Sequence, residues 1–191
     1  MPFPAIEIRV PPWAEALGDG AGTLPDVGSR MALVIRAARM NVEREGGGPF
    51  AAAVFERDTG RLVSLGVNLV EREGMSILHA EMVALAIAQK RLGSYDLSAP
   101  GLPVCELVSS AEPCAMCLGA APWSGVKRLV AGARVEDVEK VGFDEGAKPA
   151  DWPQALAARG IVVIRDVLRA EAASVIADYG RLGRAIYNPA R

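Results

Sequence analysis

The sequence predicts an α/β protein, a three-layer α/β/α sandwich built on a mixed five-stranded sheet. Residues 50–57 and 61–68 are β-compatible runs joined by Asp58-Thr59-Gly60, the composition of a hairpin. Beyond them, short apolar runs alternate with helical periodicities as far as residue 179, an order that lays parallel strands between helices on both faces. An antiparallel pair followed by parallel crossovers makes the sheet mixed. With 191 residues, 51% of them hydrophobic, the chain is long enough for one packed core.

In chain order, residues 1–28 are rich in proline and glycine (Pro11-Pro12, Gly18, Gly20, Gly22, Pro25) and read as an extended segment lying on the surface. Asp26 or Ser29 caps a first helix, in which Met31, Val34, Ile35, Ala38 and Val42 recur at helical spacing up to Gly46-Gly47-Gly48-Pro49. The hairpin follows. Residues 79–92 form a helix with Met82, Leu85, Ala86 and Gln89 on successive turns, ended by Gly93. The rest reads as a strand at 104–109, a helix at 114–123, a strand at 128–133, a helix at 135–141, a strand at 161–165 and a closing helix at 168–179.

A net charge of −2 and a pI near 5.6 leave no global electrostatic footprint for nucleic acid. Lys and Arg occur in ones and twos, so the balance favours a small substrate. The first residues, Met1-Pro2-Phe3-Pro4-Ala5-Ile6-Glu7, lack a basic leader with an uninterrupted apolar stretch, and no window reaches the ~20 apolar residues of a membrane span. Three cysteines, two of them in a C-x-x-C, suit a reducing cytoplasm and metal or redox chemistry better than a disulfide framework.

The single histidine lies in His79-Ala80-Glu81, and Cys114 and Cys117 lie in Glu112-Pro113-Cys114-Ala115-Met116-Cys117. Catalytic zinc takes three protein ligands and keeps one tetrahedral position open, and the ion lowers the pKa of water there toward ~7. Cys114 and Cys117 share one face of the helix that Pro113 introduces, whose N-terminal N–H groups favour thiolate. His79 supplies the third ligand. Glu81 stands about 200° further round an ideal helix. Glu81 reaches the same point only if His79 occupies the capping end with non-helical dihedrals, and from there it can shuttle protons. His-x-Glu followed by Pro-Cys-x-x-Cys is the signature of the zinc deaminases. The C-x-x-C also suits a redox pair or half of a structural zinc site. Cys105, a small buried side chain by its apolar surroundings, could instead close a Cys₃His site and make the chain a non-catalytic zinc module.

Together, Gly-Pro-Phe-Ala-Ala-Ala-Val at 48–54, Asn68, His79-Ala80-Glu81 and residues 110–117 resemble the cytidine deaminase-like superfamily, in the branch holding bacterial guanine, cytosine and tRNA adenosine deaminases. The likeness runs from about residue 29 to 133. Val141-Gly142-Phe143-Asp144-Glu145-Gly146 and Ala185-Ile186-Tyr187-Asn188 are similar to guanine deaminases, including some that accept triazine amines. The resemblance implies an N-terminal extension at 1–28, a zinc-dependent deaminase domain at 29–166, and a C-terminal helix and tail at 167–191. It also implies one Zn²⁺ per subunit on His79, Cys114 and Cys117, and hydrolysis of guanine to xanthine by hydroxide attack with Glu81 as proton shuttle. tRNA adenosine, cytosine, guanosine and ammeline are the alternative substrates.

Further roles follow from the resemblance alone. Asn68 hydrogen-bonds the purine, the Ala80 N–H faces a ring carbonyl, and Phe50 or Trp123 forms an apolar wall. Glu145 accepts from N1–H or the 2-amino group and helps carry the proton to ammonia, with Asp144 as its alternate. Tyr187 closes the partner's site in a domain-swapped homodimer. Each has an ordinary counterpart: a turn-capping asparagine, core aromatics, a solvated Asp-Glu-Gly turn, a frayed terminus.

Overall fold

The computed structural model describes residues 2–44 and 46–188. Its five strands are β1 (Ala51–Glu56), β2 (Leu62–Val67), β3 (Cys105–Ala111), β4 (Arg128–Ala133) and β5 (Val162–Ile164). They form one sheet in the order β2-β1-β3-β4-β5. β1 pairs antiparallel with β2 and with β3, and β3, β4 and β5 run parallel. The hairpin, the mixed sheet and the three layers agree with the expectation.

Both faces of the sheet are covered, which is why its strands read as continuous apolar runs. In β1, Ala51, Ala53 and Phe55 face one core cluster, which they share with α2 (Val27–Glu43) and α8 (Arg169–Arg181). Ala52 and Val54 face the other, shared with α4 (Ala80–Leu92) and α5 (Ala115–Ser124). Gly66 in β2 sets how close α4 comes: a Cβ there would lie 2.4 Å from the Ala80 carbonyl oxygen and 2.6 Å from the Ala84 nitrogen. The first turn of α4, next to His79, therefore rests directly on the strand backbone.

The structure settles the first cap. Asp26 Oδ1 accepts from the Ser29 N–H at 2.8 Å, so α2 begins at Val27. The extended reading of residues 1–28 is corrected over α1 (Pro12–Asp19), where Pro12 opens a helix that buries Ala14. Proline at the first helical position costs no hydrogen bond, so the Pro-Pro pair marks a start here. The short helices α3 (Val70–Glu73) and α7 (Trp152–Ala157) carry too few turns for a periodic signal, and α6 (Val135–Glu139) is shorter than expected.

A buried ion cluster ties the N-terminal extension to the sheet. The Arg30 and Glu106 side chains are 2% and 0% exposed and paired, and Arg128 pairs with the same carboxylate. Arg30 also donates to the carbonyls of Leu24 at 2.7 Å and Pro25 at 3.0 Å. Among the described residues, no helix is long and apolar enough to cross a membrane.

Candidate active site

β3 ends at Ala111, and the chain turns through Glu112-Pro113 to Cys114, the N-cap of α5. His79 is the N-cap of α4, with φ −63° and ψ 155°. Those extended dihedrals are the ones that let an imidazole and a carboxylate two residues apart converge. Cys114 Sγ lies 3.4 Å and Cys117 Sγ 3.7 Å from His79 Nδ1, and the three donor atoms all fall within 4.8 Å of one another. Tetrahedral zinc with Zn–S near 2.3 Å and Zn–N near 2.0–2.1 Å holds sulfur and nitrogen about 3.5 Å apart. The triad fits that ion.

The electrostatics point the same way. The Cys114 thiol is held down to about 4 by the hydrogen bond from Cys117, against its burial and with help from His79. Cys117 is pushed up because it keeps the proton it shares with Cys114, and because it is buried. Burial drags His79 down, but the Cys114 sulfur and the charge of Glu81 outweigh it, so the imidazole stands above its ordinary value. Without a cation, one sulfur holds a proton on behalf of both. A divalent ion lifts that restriction, since thiol ligands bind as thiolates.

Glu81 is 7% exposed. Its Oε1 accepts from Ser109 Oγ at 3.2 Å, and its Oε2 lies 3.4 Å from Cys117 Sγ. Burial, then the neighbouring Cys114 charge, raises its pKa. Glu145, 8% exposed, is pushed up to about 8, chiefly by burial and then by the Cys114 charge, with Lys148 pulling the other way.

His79, Glu81, Cys114 and Glu145 open onto one cavity, which Phe50, Asn68 and Tyr187 also line. The Asn68 side chain is 8% exposed, and its Oδ1 accepts from the Val70 N–H at 3.3 Å. Asp144 lines the cavity too, but its Oδ1 is engaged by the Gly146 N–H at 2.8 Å, an Asx turn beneath Glu145. Tyr187 reaches the cavity from its own chain. Tyr179 Oη donates to the Ala185 carbonyl at 2.5 Å, and Asn188 brackets the Phe143 segment by donating to Gly142 O at 2.7 Å and accepting from Asp144 N at 2.8 Å.

The structure does not bring two sequence readings to the cavity. Trp123 is 86% exposed and faces a different surface, beside Pro122 and Arg159; the aromatic opposite Phe50 is Phe143, its ring centroid 5.0 Å away at 73°. Ala80, read for its N–H and not its side chain, opens α4 directly after His79, and its small side chain packs into the core beneath the helix. Cys105 sits at the far end of β3, about 20 Å of strand from Ala111, with its sulfur 3.5 Å from Pro103 O. It cannot complete a Cys₃His sphere, and the structural-zinc alternative falls.

Sequence reasoning missed Phe143 and Tyr179, whose rings stack 5.8 Å apart, and also Glu112 and Lys148. Phe143 had one usable signal, its place inside a guanine deaminase-like segment. Tyr179 had only helical spacing, which marks core and cavity floor alike.

One imidazole and two cysteine sulfurs, partly buried, with a buried carboxylate beside them at the caps of two helices on a mixed sheet, define a zinc-binding deaminase fold. The chain belongs to the cytidine and deoxycytidylate deaminase zinc-binding family, which it matches over residues 28–133. It is 47% identical to a guanine deaminase from Nitrosomonas europaea of known structure, at TM-score 0.89, with 93% of this chain and 97% of that one covered. A related structure in complex with 2,6-diaminopurine gives TM-score 0.91 at 47% identity, covering 96% and 97% of the two chains. The guanine deaminase of Bacillus subtilis is 37% identical over 99 residues, a match spanning 52% of this chain and 59% of that protein.

Proposed function

We propose that the chain hydrolyses the exocyclic amine of guanine, releasing xanthine and ammonia. The observation that carries this reading is the pairing of Asn68 with Glu145 in an aromatic-lined cavity that opens onto Glu81 and the triad. Guanine presents two donors on one edge, N1–H and the 2-amino group, and acceptors elsewhere on the ring. Glu145, an acceptor, suits the donor edge; the Asn68 amide donates to a ring acceptor. Phe50 and Phe143 offer apolar surface to the flat ring.

Bound zinc supplies a Lewis acid that makes a hydroxide nucleophile available near neutral pH. The rest is the work of side chains. Glu81 carries one proton from the attacking water to the ring nitrogen beside C2, then the second, from the hydroxyl now on C2, to the amine, so that C2 ends as a carbonyl and the nitrogen departs as ammonia. Glu145, bonded at the amine, relays the last proton. Burial raises the pKa of both carboxyls, that of Glu145 to about 8, which suits them to exchange protons during the reaction. Phe143 and Tyr187 keep bulk water off the ring.

A homodimer, resident in the cytoplasm, belongs to the same reading, each tail closing its own cavity, where Tyr187 and Asn188 already lie, and not its partner's; light scattering with and without residues 185–191 tests the assembly. The function itself is tested by incubating zinc-loaded protein with guanine, ammeline, cytosine, guanosine and a tRNA anticodon stem-loop and measuring ammonia. Guanine should yield ammonia and xanthine in equal amounts. Inert guanine overturns the proposal, and the substrate that does react replaces it.

A further inference from the structure

Lys148 has a position its sequence context does not announce. It lies three residues past Glu145, yet its side chain is only 8% exposed and its Nζ donates to the Pro113 carbonyl at 3.1 Å. That carbonyl immediately precedes the ligand Cys114. The same ammonium lies 3.7 Å from Glu112 Oε2 and 5.4 Å from the centroid of the Trp152 ring. Burial of a lysine is costly unless it is paired, and here a carboxylate, a carbonyl and an aromatic face supply the compensation.

The contacts join two pieces of chain. One is the loop that carries Glu145; the other is the Glu112-Pro113 turn that carries the metal ligands. A backbone bond also joins them, the Ala115 N–H donating to the Glu145 carbonyl at 2.9 Å. Glu112 is itself fixed by Arg165 Nε at 2.6 Å and by the Val135 N–H at 3.3 Å, so Lys148 is anchored to a rigid support. Asn188 and the packing of Phe143 on Phe50 hold the loop before Glu145, and Lys148 holds it just after, so the carboxyl group between them is fixed from both sides.

We propose that Lys148 is a positioning residue that clamps the Glu145 loop onto the Pro113 carbonyl and so fixes where the Glu145 carboxyl stands relative to the metal triad. The role assigned to Glu145 rests on the guanine reading above, but the clamp does not. It is therefore tested first without substrate, by hydrogen exchange on the zinc-loaded full chain. Lys148→Met should speed exchange about tenfold in peptides spanning 113–118 and 142–150, with the strand peptide 105–111 unchanged. Lys148→Arg, which keeps a cationic donor, should restore most of the protection and serves as the working variant if Lys148→Met does not fold. Uniformly faster exchange, or none, overturns the clamp.

The second measurement is a double-mutant cycle on ammonia release from guanine. Lys148→Met should lower kcat about 10- to 100-fold with KM within threefold and zinc content unchanged. It should add nothing to Glu145→Gln, because both remove one placed carboxylate. Multiplying losses overturn the route through Glu145. Wild-type protein inert toward guanine sinks the substrate reading and leaves the exchange result to judge the clamp.

Discussion

Replacing Glu81 by glutamine keeps the shape of the side chain and its hydrogen bond with Ser109 Oγ, 3.2 Å away, while removing the proton acceptor. A single positioned acid or base contributes about 10²–10⁴ in rate. In the proposed reaction Glu81 serves both the nucleophile and the leaving amine, so the loss belongs at the upper end, about 10⁴ in kcat or about 5.5 kcal/mol. The triad is untouched, and metal analysis should still find one zinc per chain. Stability should move the other way. Burial raises the Glu81 pKa above the ordinary 4.5, so ionising it weakens the fold as pH climbs from that value through the folded one. In metal-stripped protein at neutral pH, Glu81→Gln should unfold at a higher temperature than wild type. Turnover within tenfold of wild type, or loss of the metal, refutes the shuttle.

Three further predictions concern other parts of the molecule. In chelated protein, iodoacetamide at pH 7 should label Cys114, whose thiol is held down to about 4, and spare Cys105, pushed up to about 11; peptide mass spectrometry reads the sites, and labelling of Cys105 first contradicts the electrostatics. Glu106→Gln strands the buried Arg30 charge and should cost about 3–5 kcal/mol in urea unfolding, or about 10 °C in Tm. A loss under 1 kcal/mol shows the pair to be dispensable. Trp123→Ala should leave kcat/KM for guanine within twofold, since this 86% exposed ring stands outside the cavity; a tenfold loss returns it to the substrate wall.

Much of the fold was legible because its strands are buried on both faces and its long helices carry enough turns to show a period. The metal ligands were legible for a different reason. A lone histidine and a Cys-x-x-C after proline are local patterns whose chemistry constrains spacing, and His79 had to be a cap for Glu81 to reach the site. The failures are local too. Pro11-Pro12 has the same composition whether it breaks a helix or opens one, and the three-dimensional neighbours of Ala14 decided which. Trp123 and Phe143 are both aromatics near a ligand helix. Nothing in their spacing says that the first faces solvent and the second packs on Phe50.

By itself the sequence determined the layer architecture, the three donor atoms and the carboxylate two residues past the histidine, since each follows from a period or a short local spacing. Tertiary structure decided what surrounds them. The aromatic lining, the placement of Glu145 and the Lys148 clamp join residues from the first strand, the 142–148 loop and the C-terminal tail, segments far apart in the chain. Contacts of that kind depend on how the elements pack across the sheet, and packing leaves no periodic trace in sequence.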